Sequence, residues 1–275
     1  MNMISKLADA LKLKYQPVAI IWSDKKPEAA LQFSGQRWGC VISMFAQAAK
    51  GKTVAFDREH YGCMGGGVGL GFGNRYLDYS GGIECFYRFL SSGNEDWEKG
   101  KKAIKEAESK LRPEALDNFL YGERYIKTPE LTKKRVDNMP MVNIRQKYVI
   151  FKPLRDVNID GEKPEVIAFV VNPEQLSALV VIANYAREDD QNVIIPFGAG
   201  CQTIGIQVYR EAKSAKPRAV VGLTDLSARY QVVNSLGREY LTFAVPLKMY
   251  LEIEENVEGS FLQRHIWLAL AEQEK

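Results

Sequence analysis

The stretch VIAFVVNPEQLSALVVIANYA, residues 166–186, joins an apolar, β-branched run to a helix whose start is written in its side chains. Val166–Val171 is short, uncharged and bounded by a turn residue, which reads as a buried strand. Asn172 can cap the helix, Pro173 fits the first helical position where no N–H is needed, and Gln175 can reach back to close a capping box. The helix is expected to run to about Ala186. A strand feeding directly into a helix is the unit from which α/β and α+β folds are made.

Working outward, the same alternation recurs. Pro17–Trp22 (PVAIIW) follows a short amphipathic N-terminal helix and reads as a first buried strand. Thr53–Phe56, Tyr148–Pro153, Val193–Pro196, Ala219–Gly222 and Tyr240–Val245 read as further strands. Arg37–Lys50 reads as a helix stopped by Gly51. Cys201–Ala212, Leu247–Val257 and Ser260–Ala271 read as helices by composition, and Ile83–Leu90 reads as a helix that Ser80 could cap. The charged stretch Asn94–Val136, with one helix at Glu95–Leu111 and two shorter helical pieces, reads as a peripheral insertion. The expected fold is therefore α/β or α+β: a mixed β-sheet with helices packed on its faces, plus a helical insertion. A change of character near Asn143 divides the chain into halves 1–143 and 144–275 of one compact unit.

Bulk properties narrow the function classes. With 275 residues, 46% of them hydrophobic, the chain can bury a substantial core. Its 37 basic and 34 acidic residues leave a net charge of +3, too small to imply a surface for nucleic acid or anionic lipid. Met1–Lys14 alternates lysines with short apolar pieces, so a secretory signal is not expected there. The longest uncharged run, Gln191–Tyr209, is interrupted by Pro196, Gly198, Gly200 and Gly205, so it reads as strand, turn and helix instead of a membrane span. A cytoplasmic protein is expected, with a small molecule or redox protein as partner and homo-oligomerisation open.

The chemistry concentrates at four cysteines, Cys40, Cys63, Cys85 and Cys201, which in a reducing compartment act as thiols or metal ligands and not as structural disulfides. Cys63 lies in Gly62–Gly73 (GCMGGGVGLGFG), seven glycines in twelve residues. Glycine gives up the most backbone entropy in a helix, so this segment is expected to be a loop. Its glycines would let main-chain amides nest around an anion or a cluster. Cys40 sits in the first turn of a helix, and Cys201 follows Gly198-Ala199-Gly200 at another helix start. Free amides at such positions stabilise a thiolate, the form that binds iron or attacks an electrophile. Spacings of 22, 21 and 115 intervening residues match no compact ferredoxin or zinc-finger pattern, so any site must be assembled by the fold. Cys85, within an apolar helix, is the cysteine best explained as packing.

Two other patterns are set aside. Ala46–Thr53 (AQAAKGKT) approaches a phosphate-binding loop but ends a helix instead of preceding one. The glycine cluster contains no Gly-x-Gly-x-x-Gly. There are only two histidines: His60 precedes the glycine cluster and reads as a loop residue, and His265 sits in a C-terminal helix. Arg37, Arg75 and Arg88 flank the cysteine segments and could offset a cluster's charge. Trp38, Tyr61, Phe72, Tyr76 and Tyr79 could build a pocket wall.

Pro17-Val18-Ala19-Ile20, Cys40 followed by Ala46 and Gly51, Cys63 with its glycines, Asn172-Pro173-x-Gln175, and Cys201 after a strand together resemble the domain of unknown function 169 group of bacteria and archaea, over nearly the whole chain. The resemblance implies a fold and a core set of Cys40, Cys63 and Cys201, with Cys85 open as a fourth member. The expectation is a metal centre, foremost a 4Fe-4S iron-sulfur cluster with a redox or ligand-activating role. Its ligands would be Cys40, Cys63, Cys201 and either Cys85 or an exogenous group, lined by Gly62, Gly65, Gly66, Gly200 and Arg37. The alternatives are a metal-free small-molecule-binding protein or thiol enzyme using Cys63 or Cys201, and a structural zinc site of all four thiolates.

Overall fold

A computed structural model describes residues 3–34, 39–107 and 113–272. In chain order the elements are α1 (Lys6–Ala10), β1 (Val18–Ser23), α2 (Val41–Ala49), β2 (Val54–Phe56), α3 (Met64–Leu70), α4 (Ile83–Phe89), α5 (Glu98–Ala107), α6 (Pro113–Tyr121) and α7 (Pro129–Asp137). There follow β3 (Tyr148–Pro153), β4 (Pro164–Val171), α8 (Pro173–Asn184), β5 (Val193–Ile194), α9 (Gly200–Thr203), α10 (Ile206–Ala212), β6 (Ala219–Gly222), α11 (Leu226–Leu236), β7 (Leu241–Pro246), α12 (Leu247–Glu255) and α13 (His265–Glu272). The chain divides into two units, Met1–Phe72 with Val142–Lys275, and Gly73–Met141.

The first unit is built on a seven-stranded mixed sheet in the order β2-β3-β1-β4-β7-β6-β5. Every neighbouring pair is antiparallel except β5 and β6. With helices on both faces this is the expected α+β architecture. The period-2 alternation of side chains sorts the sheet into two apolar faces. On one, Ala19, Ile21, Ile150, Ile167, Phe169, Val171, Val221, Phe243 and Val245 pack with Leu179, Met249 and Tyr250 of α8 and α12. On the other, the buried Val18, Ile20, Phe56, Phe151, Val166 and Ala168 alternate with them. Phe151 there holds Phe56 at 4.9 Å and Phe45 of α2 at 6.0 Å between ring centroids. Each such fully buried side chain is worth roughly 1.5–3 kcal/mol of transfer free energy.

The helix start at Asn172 has the expected capping box: Asn172 Oδ1 accepts the Gln175 N–H at 2.7 Å, and Gln175 Oε1 accepts the Asn172 N–H at 3.1 Å. The phosphate-loop lookalike is likewise a helix end, with Lys50 capping α2 and Gly51 at φ +99°. No helix among the described residues is long and apolar enough to cross a membrane.

Three expectations are corrected. Met64–Leu70, the centre of the glycine segment, is a helix and not a loop; its glycines pack against other backbones, a gain that offsets the entropy cost. The helix expected over Cys201–Ala212 is two, broken at Gly205, whose φ and ψ of −119° and −107° are not helical. Helix α4 is capped by Gly82 and not by Ser80.

The second unit holds α4 to α7. Its core gathers Cys85, Ala103 and Phe119 with Tyr79, Phe89, Trp97 and Ile104 around them. Asn94, fully buried, donates from Nδ2 to the carbonyls of Cys85 (3.1 Å) and Phe119 (3.0 Å), stitching α4 to α6. Tyr76 stacks on Phe86 with centroids 3.8 Å apart.

Candidate functional site

Three of the four cysteines come together where helix N-termini meet in the first unit. Cys40 is the N-cap of α2, with extended backbone, and its carbonyl accepts the Ser43 N–H at 3.0 Å. Cys63 is the N-cap of α3, and its Sγ accepts the Gly66 N–H at 3.3 Å. Cys201 lies in the first turn of α9, and its Sγ donates to the Gly65 carbonyl at 3.1 Å. A further bond, from the Cys63 N–H to the Gly39 carbonyl at 3.1 Å, ties the chain just before Cys40 to the chain entering α3. The first four N–H groups of a helix have no partner within it, so each of these cysteines stands where main-chain donors lack helical acceptors.

Glycines allow this convergence. A Cβ on Gly66 would stand 2.7 Å from both the Tyr61 carbonyl oxygen and Val41 Cγ2 of α2. One on Gly200 would stand 2.7 Å from Ile42 Cγ1. Gly69 of α3 lies against the Cys201 backbone. Gly62 serves differently: its φ of +80° and the nearness of Phe33 and Gly39 leave room for no side chain. Of the glycines expected to line a cofactor, Gly66 thus supplies an amide to Cys63, Gly65 a carbonyl to Cys201, and Gly62 and Gly200 supply close approach.

A fourth helix start completes the site. Asp225, buried, caps α11: Oδ1 accepts the N–H groups of Ser227 (2.9 Å) and Ala228 (3.2 Å). Its Oδ2 accepts the Gly200 N–H at 3.2 Å, clamping α9 to α11. Neither α11 nor Asp225 was anticipated from sequence. The available signal was Thr224-Asp225-Leu226-Ser227, an Asx cap just after the strand at Ala219–Gly222.

Electrostatically the site favours protons over bare anions. Burial first, then the neighbouring Cys40, pushes the Cys63 thiol up to about 12. Burial first, then Cys63 and Cys40, pushes Cys201 well above its ordinary value. Burial also raises Cys40, against the amides of Ile42 and Ser43, and raises the Asp225 carboxyl. Each thiolate would therefore feel the other two and Asp225. Among the described residues, no three Cys, His, Asp or Glu side chains are arranged to hold a single metal ion.

Most of the remaining candidates have partners of their own. Cys85 is fully buried in the core of the second unit, where a Cβ on Gly81 would overlap its sulfur and Lys99, Glu84 and Arg88 are the charges acting on it. These are the surroundings of a packed core thiol. Arg75 pairs with Asp78 at 2.6 Å and Arg88 lies over the Trp97 ring at 4.8 Å, both within the second unit. Tyr76 and Tyr79 also belong to that unit's aromatic core, while Tyr61 and Phe72 pair in the first at 6.4 Å. His60 is held by Asp57, Nδ1 to Oδ1 at 2.8 Å. Arg37 and Trp38 lie outside the described residues.

A family model described as uncharacterised ArCR, domain of unknown function 169, matches residues 6–256. No curated protein and no solved structure matches the chain.

Proposed function

The chain belongs to the domain of unknown function 169 family, and we propose that within it Cys40, Cys63 and Cys201 hold an iron-sulfur cluster, of the 4Fe-4S type, for a redox or ligand-activating role. The observation that carries this reading is the meeting of three thiols at three helix N-termini, with Asp225 capping a fourth beside them. Cluster irons each take their own thiolate, so the donors of a cluster stand farther apart than those around one ion.

The chemistry of the donor set fits such a group. Thiols that are costly to ionise in a buried pocket exchange their protons for metal, because a cationic centre supplies the charge that the pocket lacks. The Gly66 amide reaches the Cys63 sulfur, and hydrogen bonds of this kind tune the potential of a bound cluster. When bound, the group supplies one-electron chemistry, and three protein thiolates leave one iron open to an exogenous ligand. The chain's own residues supply burial, orientation of the three sulfurs, and the Asp225 clamp on the segment that carries Cys201.

A thiol enzyme working through Cys63 or Cys201 is disfavoured by the same surroundings, since reactive cysteines need a lowered pKa and these are raised. Iodoacetamide labelling of anaerobically purified protein, read by mass spectrometry, tests the proposal. The expected result is protection of Cys40, Cys63 and Cys201 that is lost on oxidation with chelator. A single fast-labelling cysteine in metal-free protein would favour the thiol enzyme and contradict the cluster.

A further inference from the structure

We propose that the cavity enclosed by α11 and the connections on either side of it binds a small organic oxyanion, a phosphate or carboxylate carried on an apolar or aromatic group. The cavity measures about 240 Å³ and is lined by Leu223, Arg229, Tyr230, Val233, Arg238 and Tyr240, all of the first unit.

Arg229 is fixed there by main chain alone. Its Nη1 donates to the carbonyls of Leu223 at 3.2 Å and Tyr240 at 3.0 Å, and its Nη2 donates to that of Arg238. Leu223 holds a φ of +61°, a conformation that residues other than glycine rarely adopt and that concentrates at binding sites. The carbonyls that grip the guanidinium are neutral, so its charge is anchored without being compensated. The Nε–H and the second Nη2 hydrogen have no acceptor among the described residues. Together they form an edge that can take both oxygens of a carboxylate or phosphate.

The rest of the cavity adds to the same chemistry. Arg238 is exposed, and Lys14 lies over the Tyr240 ring at 5.6 Å. Neither these cations nor Arg229 has an ion-pair partner among the described residues. The neighbouring acid, Glu239, instead places its carboxylate by Gly237, where a Cβ would stand 2.7 Å from Oε1. A partly buried cation is costly without a counter-ion, and a bound oxyanion supplies one. Leu223, Val233 and the ring of Tyr230, 69% exposed, offer apolar surface to the group that carries the anion.

Isothermal titration calorimetry of the full chain with phenyl phosphate, benzoate and the uncharged benzyl alcohol tests this. Saturable binding of phenyl phosphate or benzoate is expected, with none of benzyl alcohol. Arg238→Gln removes a side chain that has no ion pair among the described residues. It is expected to weaken anion binding about tenfold and leave the thermal melt unchanged. Arg229→Lys keeps the charge but loses the paired donors, and is expected to weaken binding at least as much. Should that variant fail to fold, Arg238→Gln decides. Glu239→Gln is expected to tighten binding several-fold by removing a nearby negative charge. The inference is overturned if neither aromatic anion binds saturably up to millimolar concentration. It is equally overturned if benzyl alcohol binds as tightly as they do, or if Arg238→Gln binds them as the wild type does.

Discussion

Gly69 of α3 lies flat against the main chain of Cys201: a Cβ at Gly69 would stand 2.7 Å from the Cys201 carbonyl carbon and 2.8 Å from its oxygen. A glycine-rich helix and a cysteine 132 positions further along the sequence are in this way held backbone to backbone. Gly205 continues the contact, with a Cβ there 2.9 Å from the same Cys201 oxygen. Since neither partner in this contact is a flexible side chain, an added methyl group has nowhere to go.

Gly69→Ala is accordingly expected to destabilise the protein by about 1–3 kcal/mol, the usual cost of overpacking, although alanine favours helix intrinsically. Gly161→Ala is the control, because a Cβ there meets nothing within 4 Å and the backbone is not left-handed. Chemical denaturation checks both, and equal midpoints for the two variants would deny the close contact.

Asn94 carries the second unit's polar stitching. Asn94→Ala removes both Nδ2 bonds and leaves the carbonyls of Cys85 and Phe119 without that donor inside a dry core, at a cost of about 1–3 kcal/mol. Hydrogen exchange is expected to speed up across α4 and α6 while the β1, β4 and β7 amides stay protected.

The raised thiols give the metal-free chain a distinctive response to alkali. A group whose folded pKa lies above its unfolded value keeps its proton longer when folded, so its stabilising effect is present below the unfolded pKa and fades as the pH climbs to the folded one. For Cys63 that window opens near 9.0 and closes at about 12, and Cys201 shifts in the same direction. Each such thiol contributes a loss of up to about 1.4 kcal/mol per pH unit within its window. Urea midpoints of the metal-free protein should therefore fall as the pH rises above 9, and less steeply in Cys63→Ser. Equal slopes for the two chains would contradict the burial of this thiol.

The four cysteines are expected to respond differently to substitution. Cys40→Ser, Cys63→Ser and Cys201→Ser are each expected to lower the iron retained after anaerobic reconstitution several-fold. Cys85→Ala is expected to keep its iron and lose only packing stability, about 0.5–3 kcal/mol by the usual range for such changes. Plasma emission analysis of the four variants reads this directly, and loss of iron in Cys85→Ala would break the division.

What the sequence made legible, and what it hid, follows from the range of the forces involved. The apolar runs at Val18–Ile21 and Val166–Val171 and the box at Asn172 and Gln175 depend on neighbours a few residues away, and the fold uses them as read. Helix α3 was hidden because its stability comes from α2 and α9, which press on Gly66 and Gly69, and not from its own propensities. Helix α11 was hidden for a related reason: Val232, Val233, Asn234 and Ser235 are indifferent helix formers, and its first turn is secured by Asp225. Cys40, Cys63 and Cys201 were singled out by their amide-rich surroundings and by the family resemblance. That these thiols lie near enough to act on one another's charge is a property of the sheet and of the helices on that face, which no spacing along the chain encodes.

Three thiols spread over 162 residues of sequence are proposed to serve one iron-sulfur centre. Quantifying iron and acid-labile sulfide per chain after anaerobic reconstitution tests it most directly. A brown protein with about four of each per chain is expected, as a cubane cluster requires. A colourless protein that takes up neither iron nor sulfide, or one that takes up a stoichiometric zinc ion instead, would contradict it.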